Sequence, residues 1–183
     1  MDLPILISPR LELRPRHIDD LEECVAMDSD PQVMKFIRWP TTPQAERQNN
    51  LRYMATDFGP GLGFWTITER ADRKRFHGWV FLIPFEGVGE HGDPRGDIEI
   101  GYRLPRSSWG QGIATEAARR LVDYGFSEIE LTQIGAVIDP QHRASEHVLR
   151  KVGLIANRQR QIDGLHLPYF KLDAAGYASR KGR

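Results

Sequence analysis

The run Trp109-Gly110-Gln111-Gly112-Ile113-Ala114-Thr115-Glu116-Ala117 is the part of the chain whose residue types and spacing speak most directly of chemistry. Glycine has no Cβ, so Gly110 and Gly112 let main-chain N–H groups approach a ligand closely, and a helix starting just after them adds its own unpaired N–H donors. This is a seat for an anion, and phosphate is the group expected there. An anion at a helix start gains on the order of 0.3 to 2 kcal/mol from the dipole, plus direct hydrogen bonds, so several donors are needed for useful affinity. The consecutive residues Gly110, Gln111, Gly112, Ile113, Ala114 and Thr115 can supply them.

The elements that position this loop are legible on either side of it. Ala114, Ala117, Ala118, Leu121, Val122 and Phe126 fall at i, i+3, i+4, i+7, i+8 and i+12, which predicts a helix over 114–126 with Glu116, Arg119, Arg120 and Asp123 on its wet side. Upstream, Asp97-Ile98-Glu99-Ile100-Gly101-Tyr102-Arg103-Leu104 alternates polar and apolar residues and stops at Pro105, as a half-buried strand does. Strand, turn, anion loop and helix is also the order in two familiar nucleotide folds. Neither fits: no Lys-Ser or Lys-Thr pair occurs for a triphosphate loop, and Thr115 stands where a dinucleotide fingerprint needs Gly or Ala.

Composition bounds the rest. A chain of 183 residues suits one domain, expected over 1–178 with a disordered tail at 179–183, and 40% hydrophobic with 27% charged residues is ordinary globular usage. Lys plus Arg equals Asp plus Glu at 25 each, so no overall field favours nucleic acid or an anionic membrane. No apolar run approaches a membrane span and the first residues do not make a secretory signal, so a cytoplasmic location is expected. Cys24, the single cysteine, excludes an intrachain disulfide; with Leu21 and Val25 it falls on the apolar side of a helix predicted near 19–27, a packing position. The six histidines show no metal-ligand spacing, and no metal is expected.

Along the chain, a strand is predicted near 10–15 and a helix after Thr42-Pro43, with Leu51, Met54, Ala55 and Phe58 as its apolar stripe. Strands follow at 64–68 and 76–83, joined by a charged turn; both are expected to be antiparallel. The segment Pro84 to Gly96 reads as a long loop, either a lid or slack. A strand at 133–138, a helix at 144–151 closed by Gly153, and a final hairpin around Asp163-Gly164 complete the order β-α-α-β-β-β-α-β-α-β-β.

Nearly the whole chain resembles the GNAT superfamily of acyl-CoA-dependent N-acetyltransferases, and within it the RimJ/RimL-type branch. Gly112 and Ala114 match the superfamily signature [QR]-x-x-G-x-[GA], with Trp109 in place of the usual Gln or Arg. The branch's longer pattern is present as Glu99-Ile100-Gly101-Tyr102 followed by Trp109 to Ala117. Pro9 to Pro15 is similar to the family's opening strand, and Asp139-Pro140-Gln141-His142-Arg143-Ala144-Ser145 to its D-P-x-N-x-x-S segment. His142 stands there for the usual Asn, which puts a customary cofactor contact in doubt, and Leu154 stands for the usual Phe.

The resemblance implies an α/β (α+β) fold: a mixed, mainly antiparallel sheet of about seven strands, the fourth and fifth splayed into a cleft, with about four flanking helices. It implies acetyl-CoA as co-substrate, with the pyrophosphate on Gly110, Gln111, Gly112, Ile113, Ala114 and Thr115 and the pantetheine arm along the backbone of Tyr102, Arg103 and Leu104. His142 and Ser145 occupy the family's remaining cofactor positions, and Ser145 is either a hydrogen-bond or proton donor to the departing sulfur or a plain first-turn serine. Glu99 is the candidate general base, with Asp97, two residues away on the same strand face, as the fallback.

The acceptor is a primary amine, either a protein or peptide N-terminus or a small molecule. Arg38, Trp39, Tyr53 and Tyr169 are candidates to contact it, and a monomer or homodimer is expected. Two other classes stay open: a GNAT-like acyl-CoA sensor or interaction module without catalysis, and an unrelated nucleotide-binding α/β domain. Neither nucleic acid nor membrane is an expected partner.

Overall fold

Leu11, Leu13, Trp65, Ile67, Val80, Leu82, Ile98 and Ile100 alternate along four strands, so their side chains share one face of a sheet, and all are buried there. The structure, a computed structural model, describes residues 3–37, 42–85, 98–162 and 164–182. Arg38, Trp39, Asp97, Asp163 and most of the Pro84 to Gly96 loop, including any role of that loop as a lid, lie outside those residues.

The strands are β1 (Leu6–Ile7), β2 (Leu11–Pro15), β3 (Gly63–Glu69), β4 (Phe76–Pro84), β5 (Ile98–Arg103), β6 (Gln133–Val137), β7 (Ile155–Ile162) and β8 (Leu165–Asp173). The helices are α1 (Leu21–Asp28), α2 (Pro43–Ala55), α3 (Ile113–Ser127), α4 (Arg143–Val152) and α5 (Ala174–Lys181). One eight-stranded sheet runs in the order β1-β2-β3-β4-β5-β6-β8-β7. Every neighbouring pair is antiparallel except β5 and β6. Relative to the expected seven strands and four helices, the additions are β1 and α5.

The two faces are covered differently. Helix α3 lays Ile113, Ala117, Ala118, Leu121 and Val122 on the Leu13/Ile67/Ile100 face, and α4 adds Leu149 and Val152 to the same cluster. Each aliphatic side chain fully removed from water contributes about 1.5 to 3 kcal/mol. The opposite face carries Phe64, Trp79 and Ile83, packed against Cys24 and Met27 of α1. Burial pushes the Cys24 thiol up to about 12, so it stays a neutral packing group.

Two expectations are corrected. Helix α2 begins as predicted, with Thr42 accepting from the Ala45 N–H at 3.2 Å and Pro43 in its first turn, but its buried side chains are Glu46 and Asn50 while Leu51 is exposed. The reason is a buried polar bridge: Asn50 donates to Asp28 at 3.0 Å and accepts from Arg16 at 3.1 Å, tying α2 to α1 and to the chain leaving β2. Residues 179–181 continue a helix instead of opening a disordered tail. Asp173 caps α5 through the Gly176 N–H at 2.8 Å, and Tyr177 donates to Asp123 at 2.7 Å while its ring stacks on Phe126, which docks the end of the chain on α3.

Gly78 shows how tightly the sheet is drawn at its centre. Its φ is +110°, beside the irregular pairing between β3 and β4, and a Cβ there would stand 2.0 Å from the Arg103 carbonyl oxygen on β5. Backbone cannot give way as a flexible side chain does. Gly78→Ala is expected to cost about 3 kcal/mol or more, read as a lower urea midpoint at unchanged m-value; a midpoint within experimental error of the parent would refute this packing.

Candidate functional site

The sheet opens where its one parallel pair ends. Strands β5 and β6 are in register at Ile98 with Ile134 and at Glu99 with Gly135, and there the ladder between them stops. Strand β5 runs on to Arg103 beside β4, and β6 runs on to Val137 beside β8. The two ends diverge into a cleft at the carboxyl end of the parallel pair, where open α/β sheets bind ligands.

At one edge of this cleft lies the glycine loop. Gly110 and Gly112 have φ of 73° and 77°, left-handed values that favour glycine, and Gly112 is the N-cap of α3 without any side-chain cap. The N–H groups of the first helical turn are therefore left to a ligand, and a Cβ on Gly110 would meet nothing within 4 Å. The residues fit an anion. The loop is fixed from outside: Arg10 donates from Nε to Glu116 at 2.7 Å, from its backbone N–H to the same carboxylate at 2.8 Å, and from Nη1 to the Gln111 carbonyl at 3.1 Å. Ser8 adds a hydrogen bond to Glu116 at 2.8 Å. Burial pushes the Glu116 carboxyl up, but these donors outweigh it and hold it below its ordinary value. Glu116 is thus a clamp for the loop rather than a residue of the wet helix side.

Trp109 donates its indole N–H to the Leu104 carbonyl at 2.8 Å, which ties the loop to the end of β5. Of Tyr102, Arg103 and Leu104, the residues expected to offer backbone to a cofactor arm, Leu104, just past the end of β5, thus already has its carbonyl engaged. The Arg103 side chain turns away, pairing with buried Asp28 at 3.0 Å and lying over the Trp79 ring.

Tyr102 turns toward α4. Its hydroxyl donates to the Ser145 carbonyl at 3.1 Å and lies 3.0 Å from the Ser145 Oγ, so the serine hydroxyl donates back to the phenol oxygen. Burial raises the phenol's pKa above its ordinary value. Ser145 is held in turn by His142, the N-cap of α4, whose Nδ1 accepts from the Ser145 N–H at 3.3 Å. A ring nitrogen that accepts carries no proton, so the neutral ring is protonated at Nε2. The His142 ring also stacks on Phe36, with centroids 4.4 Å apart and 31° between planes. Histidine here does the capping that asparagine does elsewhere.

Glu99 lies on the other face. Ile98, Ile100 and Tyr102 belong to the α3 and α4 side, whereas Glu99 alternates with them and is in register with Ile83 of the α1 side. Tyr169 shares that side: a Cβ on Gly135, Glu99's register partner, would run into the Tyr169 ring. Arg160 lies over the Tyr169 and Phe85 rings at 5.3 and 4.1 Å from their centroids. Tyr53 sits over β3, against Phe64 and Phe58. Among the described residues, no group of three or more His, Cys, Asp or Glu side chains converges to hold a metal ion, and no helix is long and apolar enough to cross a membrane.

Sequence spacing did not point to Arg10, Glu116, Phe36, Arg160 or the side chain of Tyr102. Their partners are far away along the chain, and no local periodicity encodes such meetings.

An eight-stranded mixed sheet with a glycine loop at its one parallel opening defines an acyltransferase-type α/β fold, and comparison with known proteins agrees. Residues 10–155 match the acetyltransferase (GNAT) domain family. A protein from Bacillus licheniformis named uncharacterized N-acetyltransferase p20 is 28% identical over 183 residues, covering 93% of this chain and 98% of that one. FsC-acetyl coenzyme A-N(2)-transacetylase of Aspergillus fumigatus is 33% identical over 156 residues, covering 82% of this chain and 65% of that protein. The crystal structure of a GNAT-family acetyltransferase from Bacillus anthracis superposes with a TM-score of 0.77 at 21% identity, covering 94% of this chain and 99% of that one. The chain belongs to the GNAT family and is an N-acetyltransferase. The family uses acetyl-CoA, and the uncapped glycine loop fits its phosphates.

Val in place of Gly112 puts a branched side chain at the loop in a left-handed backbone conformation. Acetyl-CoA binding should weaken by at least about tenfold, or about 1.4 kcal/mol, in calorimetric titration, and an unaltered Kd would contradict the loop's role. Burial lowers the His142 pKa, so the unfolded chain takes up a proton at a higher pH than the folded one. Stability from this group is full above about pH 6.5 and is lost as the pH falls further. His77, buried against Ser108, is lowered in the same way, so the difference between proteins is the informative quantity. His142→Asn should flatten the fall in urea midpoint between pH 7 and pH 5; a parallel pair of curves would show that His142 carries none of it.

Proposed function

We propose that the protein transfers the acetyl group of acetyl-CoA directly to a primary amine, either a protein or peptide N-terminus or a small-molecule amine, as a member of the RimJ/RimL-type branch. The observation that supports this most is the division of the cleft between the two sheet faces. Glu99 stands on the α1 side and the Tyr102–Ser145 pair on the α4 side of the same strand. An amine entering from one face and a thiol leaving on the other meet different chemical groups.

Bound acetyl-CoA supplies an acetyl group activated as a thioester. The N–H groups of residues 110–115 hold its pyrophosphate at the α3 N-terminus, and the backbone of Tyr102 and Arg103 orients its pantetheine arm. Glu99, or Asp97 in its absence, takes the proton that the attacking amine loses. How much this contributes depends on the acceptor. Deprotonating an α-amine at pH 7 costs about 1 kcal/mol and an alkylamine about 4.6 kcal/mol. Ser145 serves the sulfur as a hydrogen-bond donor once its hydroxyl turns from the Tyr102 phenol oxygen to the sulfur, while Tyr102 goes on donating to the Ser145 carbonyl and holds the serine in place. A phenol ordinarily near pKa 10 lies about 1.5 units above a thiol near 8.5, so full proton transfer to a thiolate is uphill even before burial raises the phenol further. Arg38, Trp39, Tyr53 and Tyr169 are the proposed acceptor contacts. The acyl-CoA sensor reading drew on His142 replacing Asn; with His142 capping α4, nothing further favours it.

The test is thiol release from acetyl-CoA with N-terminal peptides and alkylamines, for the parent and Glu99→Gln, across pH 6 to 9. Glu99→Gln should lose about 10²-fold or more with alkylamines and less with peptides. An unchanged rate with both would remove Glu99 from the mechanism, and no acceptor-dependent release would remove the transfer itself.

A further inference from the structure

From the stack of Phe36 on His142 we infer that Phe36 is a positioning residue for the sulfur-side hydrogen-bond pair, joining the acceptor side of the cleft to the leaving-group side. The inference rests on the proposed role of Tyr102 and Ser145. Phe36 ends a short 3-10 turn, Met34–Phe36, that follows α1 and directly precedes the segment carrying Arg38 and Trp39. Val33, in the same stretch, packs with Phe64, Trp79 and Ile83 on the α1 face. His142 opens α4, whose Leu149 and Val152 pack on the opposite face. The stack therefore crosses from one layer to the other.

Each link beyond the stack is a specific contact. The His142 ring can accept from the Ser145 N–H only in one plane, and Phe36 at 4.4 Å restricts that plane. Ser145, so held, exchanges hydrogen bonds with Tyr102 at 3.0 and 3.1 Å. An off-plane imidazole loosens the first turn of α4 and moves the Ser145 Oγ away from the sulfur's path. A displacement of 1 Å is enough to cost on the order of 10²-fold in rate. Asparagine in place of His142 caps the helix without a ring, so it has nothing for Phe36 to orient. The histidine thereby makes capping depend on the acceptor-side segment.

A double-mutant cycle tests this, using Phe36→Ala, His142→Asn and the double variant, with Phe36→Tyr as the conservative control. Half-buried Phe36 is not part of either core cluster, so the variants are expected to fold. Phe36→Ala should lower kcat about tenfold while leaving the acetyl-CoA KM within twofold, and Phe36→Tyr should restore kcat. In the His142→Asn background the same truncation should change kcat by less than twofold. Urea midpoints of the ligand-free proteins should show the same non-additivity. Equal losses from Phe36→Ala in both backgrounds, or an effect confined to the amine KM, would overturn the coupling. Ser145→Ala separates the two readings: wild-type kcat there overturns the donor assignment together with the coupling, whereas a clear Ser145 loss with additive Phe36 and His142 effects overturns the coupling alone.

Discussion

A single parallel pair inside an otherwise antiparallel sheet is the constraint on which this molecule is built. Parallel neighbours need a crossover, and here the crossover is the glycine loop and α3, which must pass over the sheet between the end of β5 and the start of β6. The pairing lasts through Glu99 and Gly135 only, because β5 is held to β4 as far as Arg103 while β6 is held to β8 as far as Val137. Two antiparallel partners pull the strands apart. Backbone groups beyond the last shared register then have no ladder between these two strands, and buried backbone seeks partners. In the proposed complex an extended ligand arm between them would satisfy that demand, with the glycine loop of the crossover at its end.

The same opening assigns the chemical groups to sides. Strand alternation sends Glu99 to one face and Tyr102 to the other, three residues along. Separation of the proposed base from the proposed sulfur-side group thus needs no special architecture; it is a consequence of period two at the strand that loses its neighbour. Precision comes from outside the strand. Tyr102 is fixed by Ser145, Ser145 by His142, and the loop by Arg10 and Glu116.

Much of this was readable before the structure, and the unread part has a common physical character. The loop, the α3 stripe and the α4 start were visible because each is encoded within a few residues by glycine placement or apolar spacing. The α2 stripe was misread because its buried positions are Glu46 and Asn50, polar groups satisfied by Arg16 and Asp28, and apolar periodicity cannot register a polar residue that earns its burial through hydrogen bonds. The α5 helix was missed because its stability comes from Tyr177 docking on Asp123 and Phe126 rather than from its own composition. Glu116 looked like one more carboxylate on a wet helix face. Its partners Ser8 and Arg10 are more than a hundred residues upstream, beyond the reach of any local pattern.

Those long-range partners also bear on the most conspicuous departure from the family signature. Trp109 replaces a residue that would carry charge or a polar amide at the loop, and its indole N–H is spent on the Leu104 carbonyl. The cationic group near the loop instead comes from β2's approach: the Arg10 guanidinium holds the Gln111 carbonyl, and its Nη2 stands 3.5 Å from where a Gly112 Cβ would be. Because Glu116 neutralises Arg10 at close range, this pair contributes rigidity more than net attraction for phosphate. In the proposed mode of binding, the helix start would carry the anion largely through backbone N–H groups and the α3 dipole, which depend on the loop's left-handed glycine geometry. Arg10 thus keeps the loop in shape, and Trp109 anchors it to the end of the strand beside the cleft.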